Sequence, residues 1–321
     1  MRRLANTVFA AVFFLLIPLT ARAAGYLVPV GQLVGLQLRD GTVTVAAFDD
    51  ASGSRAKNAG LRIGDQIIRV NGQSVDCPED VRMLLSKTSG PVALTIRRGS
   101  KESQLHLTPE DDGDGPKLGV YLRQGISGVG TVTWFDPESG RFGALGHGVS
   151  TSKDCLLQMT SGSVYSAEVL SAKKGCPGTP GLLKGQATSD IPFGTLTRNT
   201  PQGVFGVTGQ RWEGDALPVA QWEDISVGPA SIRSTISGGQ PREYSVEILK
   251  IYPKDRANGR NFLLKVTDPA LLRTTGGIVQ GMSGSPILQN GKLVGAVTHV
   301  LVNSPDTGYG IYIQNMLDAA G

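Results

Sequence analysis

Histidine is scarce in this chain, with three in 321 residues, at His106, His147 and His299. Any imidazole chemistry therefore has a short list of candidates. No C-x-x-C pair exists among the three cysteines, Cys77, Cys155 and Cys176, which removes the usual zinc-binding patterns. Nothing in the sequence calls for a metal or another cofactor. No run of five basic residues occurs and the formal charge is only +4, so nucleic acid is not an expected partner. Beyond residue 24 no apolar stretch is long enough to span a bilayer. Aromatics make up just 6%, whereas glycine (43) and proline (18) are plentiful. That balance points to a mainly β protein with many turns and some α structure.

Residues 1–24 have the layout of a secretory signal. Arg2 and Arg3 precede the apolar stretch Val8–Leu19, and Ala21-Arg22-Ala23 offers small residues where a signal peptidase reads them. Two readings stand, a cleaved signal and a retained N-terminal membrane anchor. Both place the rest of the chain across a membrane. Export permits disulfides, and a Cys155–Cys176 bridge and three thiols are both compatible with the sequence.

Two folded units follow. Gly31 to Pro109 (31–109) alternates strand patterns with two short helical stretches. One, Ser54–Leu61, contains a terminating glycine; the other, Pro78–Lys87, has Val81, Leu84 and Leu85 on one face. Residues 110–116, Glu110 to Pro116, are acidic and glycine-rich and read as a linker. From Lys117 to Gly321 (117–321) short strands separated by turn residues predict a β-barrel or paired barrels, with a hairpin over Thr131–Leu145 and a short final helix.

The chemistry gathers at Gly281-Met282-Ser283-Gly284-Ser285-Pro286. A serine in a glycine-rich turn presents a hydroxyl, and the backbone around it can aim N–H groups at one point. A nucleophile and donors for an oxyanion are what acyl transfer needs. The serine requires a base. His147, in Gly146-His147-Gly148 just past a predicted strand, is preferred; His299, in the apolar strand after the serine, is the alternative, and His106 belongs to the other unit. An orienting acid is open between Asp268, 15 residues before Ser283, and Asp190, 43 residues after His147.

Three resemblances sharpen this. The run Ala59-Gly60-Leu61 through Gly64-Asp65 to Val70-Asn71-Gly72 resembles a PDZ domain. That likeness implies a groove between strand and helix that takes a peptide as an added strand, with the carboxylate-binding loop at Gln32, Leu33, Val34 and Gly35. The G-x-S-G-x-P turn resembles the nucleophile turn of chymotrypsin-like proteases. This implies oxyanion donors at Gly281 and Ser283, and a P1 pocket bordered by Thr298 and His299. Finally, Gly146-His147-Gly148, Lys265-Val266-Thr267-Asp268-Pro269, the block Thr275–Ile287, Gly295–Val300 and Gly308-Tyr309-Gly310, in that order, resemble the SpoIVB peptidase family, the signalling serine proteases of endospore formers.

The family likeness implies a PDZ domain followed by a chymotrypsin-like β-barrel peptidase, with His147, Asp268 and Ser283 as a triad. It also implies limited proteolysis of a membrane-embedded regulator, self-cleavage, and work in the space between forespore and mother-cell membranes. A PDZ ligand peptide, from the chain's own tail or N-terminal region, is a second implied partner. Two other functions are compatible with the residues: a non-enzymatic PDZ adaptor with an inactive barrel, and a housekeeping extracytoplasmic serine protease. The latter kind places its protease before its PDZ domain, the reverse of the order here.

Overall fold

The computed structural model describes residues 25–321 apart from 112, 114, 152–153 and 257–258, so the expected signal at 1–24 lies outside the described residues. The chain begins with β1 (Tyr26–Pro29), β2 (Leu33–Phe48), α1 (Gly53–Asn58), β3 (Gln66–Val70), β4 (Gln73–Ser74), α2 (Pro78–Ser86), β5 (Val92–Arg98) and β6 (Lys101–Leu107). A small ribbon, β7 (Glu110–Asp111) and β8 (Pro116–Lys117), leads to β9 (Val120–Phe135), β10 (Arg141–Ala144), β11 (Ser161–Lys173), β12 (Leu182–Ala187), β13 (Gly194–Thr200), β14 (Gly203–Thr208) and β15 (Leu217–Pro218). The last part holds β16 (Gly228–Ser234), β17 (Arg242–Ile251), β18 (Phe262–Val266), α3 (Pro269–Thr275), β19 (Pro286–Gln289), β20 (Lys292–Leu301), β21 (Ser304–Tyr312) and α4 (Ile313–Ala320).

These strands close two barrels. In the first, β9, β10, β14, β13, β11 and β2 pair in a ring, with β2 returning onto β9. Its core holds Val34, Leu36, Leu38, Phe142, Val164 and Leu196. The second is the closed barrel β16-β17-β18-β21-β20-β19. Period-two patterning builds its core: Tyr244, Val246 and Ile248 are the buried alternate residues of β17. Leu33 of β2 belongs to that second core while the adjacent Val34 lies in the first, so the start of this strand is buried on both faces and ties the barrels together.

The PDZ unit is not a separate bead. β2 and β9 are each 16 residues long and run through both units. Leu33–Leu38 pairs with Ile126–Thr131 inside the first barrel, whereas Val43–Phe48 pairs with Val120–Gln124 in the PDZ unit, with a register break between Leu38 and Val43. A separate core, including Val43, Ile67, Val81, Leu85, Leu94 and Leu118, lies under α1 and α2.

Two expectations change and one open alternative closes. Gln32–Gly35 is not a carboxylate-binding loop: Val34 pairs with Gly130 on one side and Ser166 on the other, and the Gln32 side chain accepts a hydrogen bond from Trp212 Nε1 at 2.8 Å. With both strand edges occupied, no peptide strand can be added there. The stretch 110–116 is not a bare linker but carries β7 and β8, paired antiparallel. Cys176 is a free thiol, so no Cys155–Cys176 bridge forms. Because Val34 is 1% exposed in the first core, Val34→Asp should cost at least about 3 kcal/mol of stability. Urea denaturation checks this; the change would be small if residues 32–35 were an exposed ligand loop.

Candidate active site

The serine turn connects α3 to β19, and its conformation follows from its glycines. Gly284 has φ +96°, and a Cβ there would lie 2.0 Å from Thr131 O, so the site requires glycine for both backbone and space. The turn closes on itself through Met282 N–H to Val279 O (3.1 Å) and Ser285 N–H to Met282 O (3.0 Å). Buried Ile278, Val279 and Met282 anchor it in the second core.

Two peptide planes in this turn are held by their carbonyls. Gln280 O accepts from Leu183 N of β12 at 2.9 Å, and Met282 O accepts from both Ser285 N and Ser285 Oγ. Each plane therefore turns its N–H the other way, at Gly281 and Ser283. Neither N–H donates to a protein acceptor among the described residues. Unpaired donors beside a serine hydroxyl are what an oxyanion site requires.

His147 comes from the other barrel. β10 ends at Ala144 and is followed by Leu145 and Gly146, both at φ +69°. For leucine this is a strained conformation, costing roughly 1–2 kcal/mol. Burial of its side chain and a bond from Leu145 N–H to Thr131 O (3.2 Å) hold it there. The His147 ring lies half-buried, 5.3 Å from the His299 ring between centroids. Its Nδ1 is 2.9 Å from Gly148 O. A carbonyl only accepts, so neutral His147 carries its proton on Nδ1 and leaves Nε2 free as a base. Desolvation holds its pKa below the ordinary histidine value, although the Gly148 contact works in the opposite direction.

The pKa of His299 is lowered to about 4, first by desolvation and then by the neighbouring charges of His147 and Arg260. Its buried Nδ1 has no hydrogen-bond partner. The preceding residue, Thr298, is buried, and its carbonyl accepts from Ser283 Oγ at 2.7 Å. The expected residues Ser283, Thr298, His299 and His147 thus come together at the barrel junction. The serine hydroxyl points at the strand carbonyl.

The structure does not bring Asp268 to this cluster. Its Oδ1 accepts from Ala270 N (2.8 Å) and Leu271 N (2.9 Å), capping α3, and its Oδ2 lies 3.4 Å from Ser245 N. Leu263 of β18 is level with Tyr309, which faces His299. Asp268 is five residues further on, past the strand's end at Val266. Asp190 is exposed in the turn between β12 and β13 and is not paired with His147. Among the described residues no carboxylate pairs with His147. Sequence reasoning missed Thr131, whose Oγ1 donates to Gly281 O at 2.8 Å and whose N–H donates to Ser283 O at 3.1 Å. In the sequence it is one strand threonine among several, with no signal to mark it.

A serine and a histidine carried by separate six-stranded barrels, with a PDZ unit grown out of the first, define a PDZ-bearing serine peptidase of chymotrypsin-like fold. Residues 115–317 match the SpoIVB peptidase S55 and residues 51–98 match the PDZ domain. The chain belongs to the SpoIVB peptidase S55 family. Among solved structures it is similar to the active form of the Rv3671c protease from M. tuberculosis, with TM-score 0.38 and 17% identity over 61% of this chain and 75% of that one. It is also similar to the PDZ domain of an SdrC-like protein (Lmo2051) from Listeria monocytogenes, with TM-score 0.22 and 20% identity over 25% of this chain and 85% of that one. A putative zinc metalloprotease, Atu1380, of Agrobacterium fabrum is 32% identical over 90 residues, 28% of this chain. The chain covers 21% to 27% of the length of the curated relatives it matches.

Two measurements test the site. A helix cap tolerates Ser or Asn, whereas a triad acid does not: the Asp-to-Asn change in a triad lowers kcat about 10,000-fold. Asp268→Asn and Asp268→Ser should therefore keep peptidase activity within a few-fold, while Asp268→Ala loses about 1 kcal/mol of stability. Second, His299 binds its proton in the unfolded chain near 6.5 but in the folded protein only near 4. Its neutral burial stabilises the fold fully above pH 6.5, and that contribution is lost as pH falls towards 4. The melting temperature should drop across this window, less steeply in His299→Gln.

Proposed function

We propose that this serine peptidase performs limited, signalling proteolysis, with Ser283 as nucleophile and His147 as general base. The observation that carries this reading is the meeting of a serine turn, whose Gly281 and Ser283 N–H groups donate to no acceptor among the described residues, with an imidazole whose Nδ1 lies on the Gly148 carbonyl. Ser283 Oγ rotates off Thr298 O, passes its proton to His147 Nε2 and attacks a peptide carbonyl. The N–H groups of Gly281 and Ser283 receive the oxyanion; losing one such donor costs on the order of 100-fold in rate. His147 then protonates the leaving amine, and water releases the acyl group by the reverse proton path. Thr298 and His299 border the side chain before the cut.

The PDZ unit presents a second peptide site. Over Val120–Gln124, β9 pairs with β2 along one edge, and among the described residues no strand pairs along the other. α2 lies beside β8 and β9. Val120 and Leu122 pack towards the core that Val81 and Leu85 of α2 share. A substrate tail or a segment of the chain itself would add as a strand there, its carboxylate at the Leu118-Gly119 turn. By the family resemblance the substrate is a membrane-embedded regulator restraining an intramembrane protease, so that cutting it permits processing of a mother-cell sigma factor precursor. The same resemblance supports export to the space between forespore and mother-cell membranes, with or without a retained anchor, and self-cleavage.

Mass spectrometry of incubated wild type beside Ser283→Ala tests this. Wild type should accumulate self-cleavage fragments and label with a serine-directed phosphonate, while the variant stays folded and does neither. Continued cutting by the alanine variant would remove Ser283 as the nucleophile.

A further inference from the structure

In a Ser-His-Asp triad a carboxylate orients the imidazole, but among the described residues none pairs with His147. What stands at Nδ1 instead is Gly148 O, and that carbonyl is held from behind. The Gly148–Val149 peptide is planar and trans, so its N–H points away from its C=O. The N–H, that of Val149, donates to Asn199 Oδ1 at 2.9 Å. Asn199 Nδ2 donates back to Val149 O and to Leu157 O, both at 2.9 Å. The three bonds pin the loop after His147 to β13, where Asn199 faces Val204 in the first barrel's ladder. Space is as tight as the bonding: a Cβ on Gly148 would lie 2.3 Å from Leu156 Cδ1 and 2.7 Å from Thr200 O.

We propose that Asn199 is the positioning residue for His147: it fixes the plane of the Gly148–Val149 peptide, whose carbonyl holds the imidazole in the Nδ1–H tautomer. The peptide acts as a relay, since a hydrogen bond accepted from its N–H polarises its C=O and strengthens the bond from His147. Asparagine suits the place because it accepts once and donates twice; aspartate would set a charged acceptor against the carbonyls of Val149 and Leu157. The relay selects the tautomer without a counter-charge for the imidazolium. Among the described residues the titratable group whose ring faces His147 is His299, itself held neutral first by burial, with Arg260 adding to that effect. Burial opposes protonation of His147 and the Gly148 carbonyl favours it, so the basicity of His147 depends on that carbonyl.

This inference rests on the peptidase reading for its kinetic test and has a second, independent readout. In the full chain, with rates normalised by active-site titration, Asn199→Ala should lower kcat roughly 10- to 100-fold with KM within about twofold. The acid limb of its pH profile should move to lower pH, because the bond that raises the proton affinity of His147 is weakened. Asn199→Asp should be no faster than the alanine variant. Unchanged kcat and pH limb in Asn199→Ala, or an aspartate variant as fast as wild type, would overturn the proposal. Long-range proton–nitrogen NMR of the wild type should show His147 as the Nδ1–H tautomer, and Asn199→Ala should show mixed tautomers. An Nε2–H tautomer in the wild type, or no change in the variant, would also overturn it. If the wild type neither cuts nor labels, the peptidase reading falls, while the tautomer measurement still decides the role of Asn199.

Discussion

The geometry of the candidate site depends on one buried threonine. Thr131 sits in β9 and touches both halves of the site: its N–H donates to Ser283 O, its Oγ1 to Gly281 O, and its own carbonyl accepts from Leu145 N–H. The first two bonds hold the serine turn of the second barrel, and the third holds the strained residue that introduces the histidine loop of the first. A serine and a histidine 136 positions apart in sequence are brought to one barrel junction because a single strand residue bonds to Ser283 and to Leu145, two residues before the histidine. Thr131 is fully buried, so each of these bonds is shielded from water and expensive to lose.

That strand also reaches the PDZ unit. β9 starts at the unpaired edge of the PDZ unit and passes the serine turn at Thr131, and β2 runs beside it over both units. The peptidase and PDZ units therefore share covalent backbone and hydrogen-bond ladder. The cleft itself is built to remain uncharged: desolvation depresses the pKa of both histidines, and Arg260 adds to the effect at His299. A neutral imidazole is the form that accepts a proton from serine.

Much of the architecture was legible because local signals were strong. The hairpin across Thr131–Leu145, the strands over 244–251, 262–266 and 293–300, and the short helices after Pro269 and near the C-terminus follow from alternation, turn residues and proline at a helix start. The PDZ motif around Gly64-Asp65 lies where its likeness places it, with Asp65 buried and bridged to Arg98 at 2.7 Å. The peptide groove was misplaced because Leu33–Leu38 alternates as well as any PDZ strand. Only long-range pairing, which periodicity cannot see, assigns it to the barrel. The family likeness implies Asp268 as the orienting acid, whereas here it caps α3; an Asp before a Pro can do either, and one residue cannot show from sequence which role it fills. Thr131 and Asn199 were invisible for a related reason: each acts through backbone groups of residues far away in the chain.

The central claim is that Ser283 and His147 react together with Asp268 left on its helix. A crystal structure of the full chain after reaction with a serine-directed phosphonate tests it most directly. The account predicts phosphorus bonded to Ser283 Oγ, its oxygen between the N–H groups of Gly281 and Ser283, His147 Nδ1 still on Gly148 O, and the Asp268 carboxylate still capping α3. An adduct on another residue, or an Asp268 carboxylate drawn to His147 Nδ1, would contradict it.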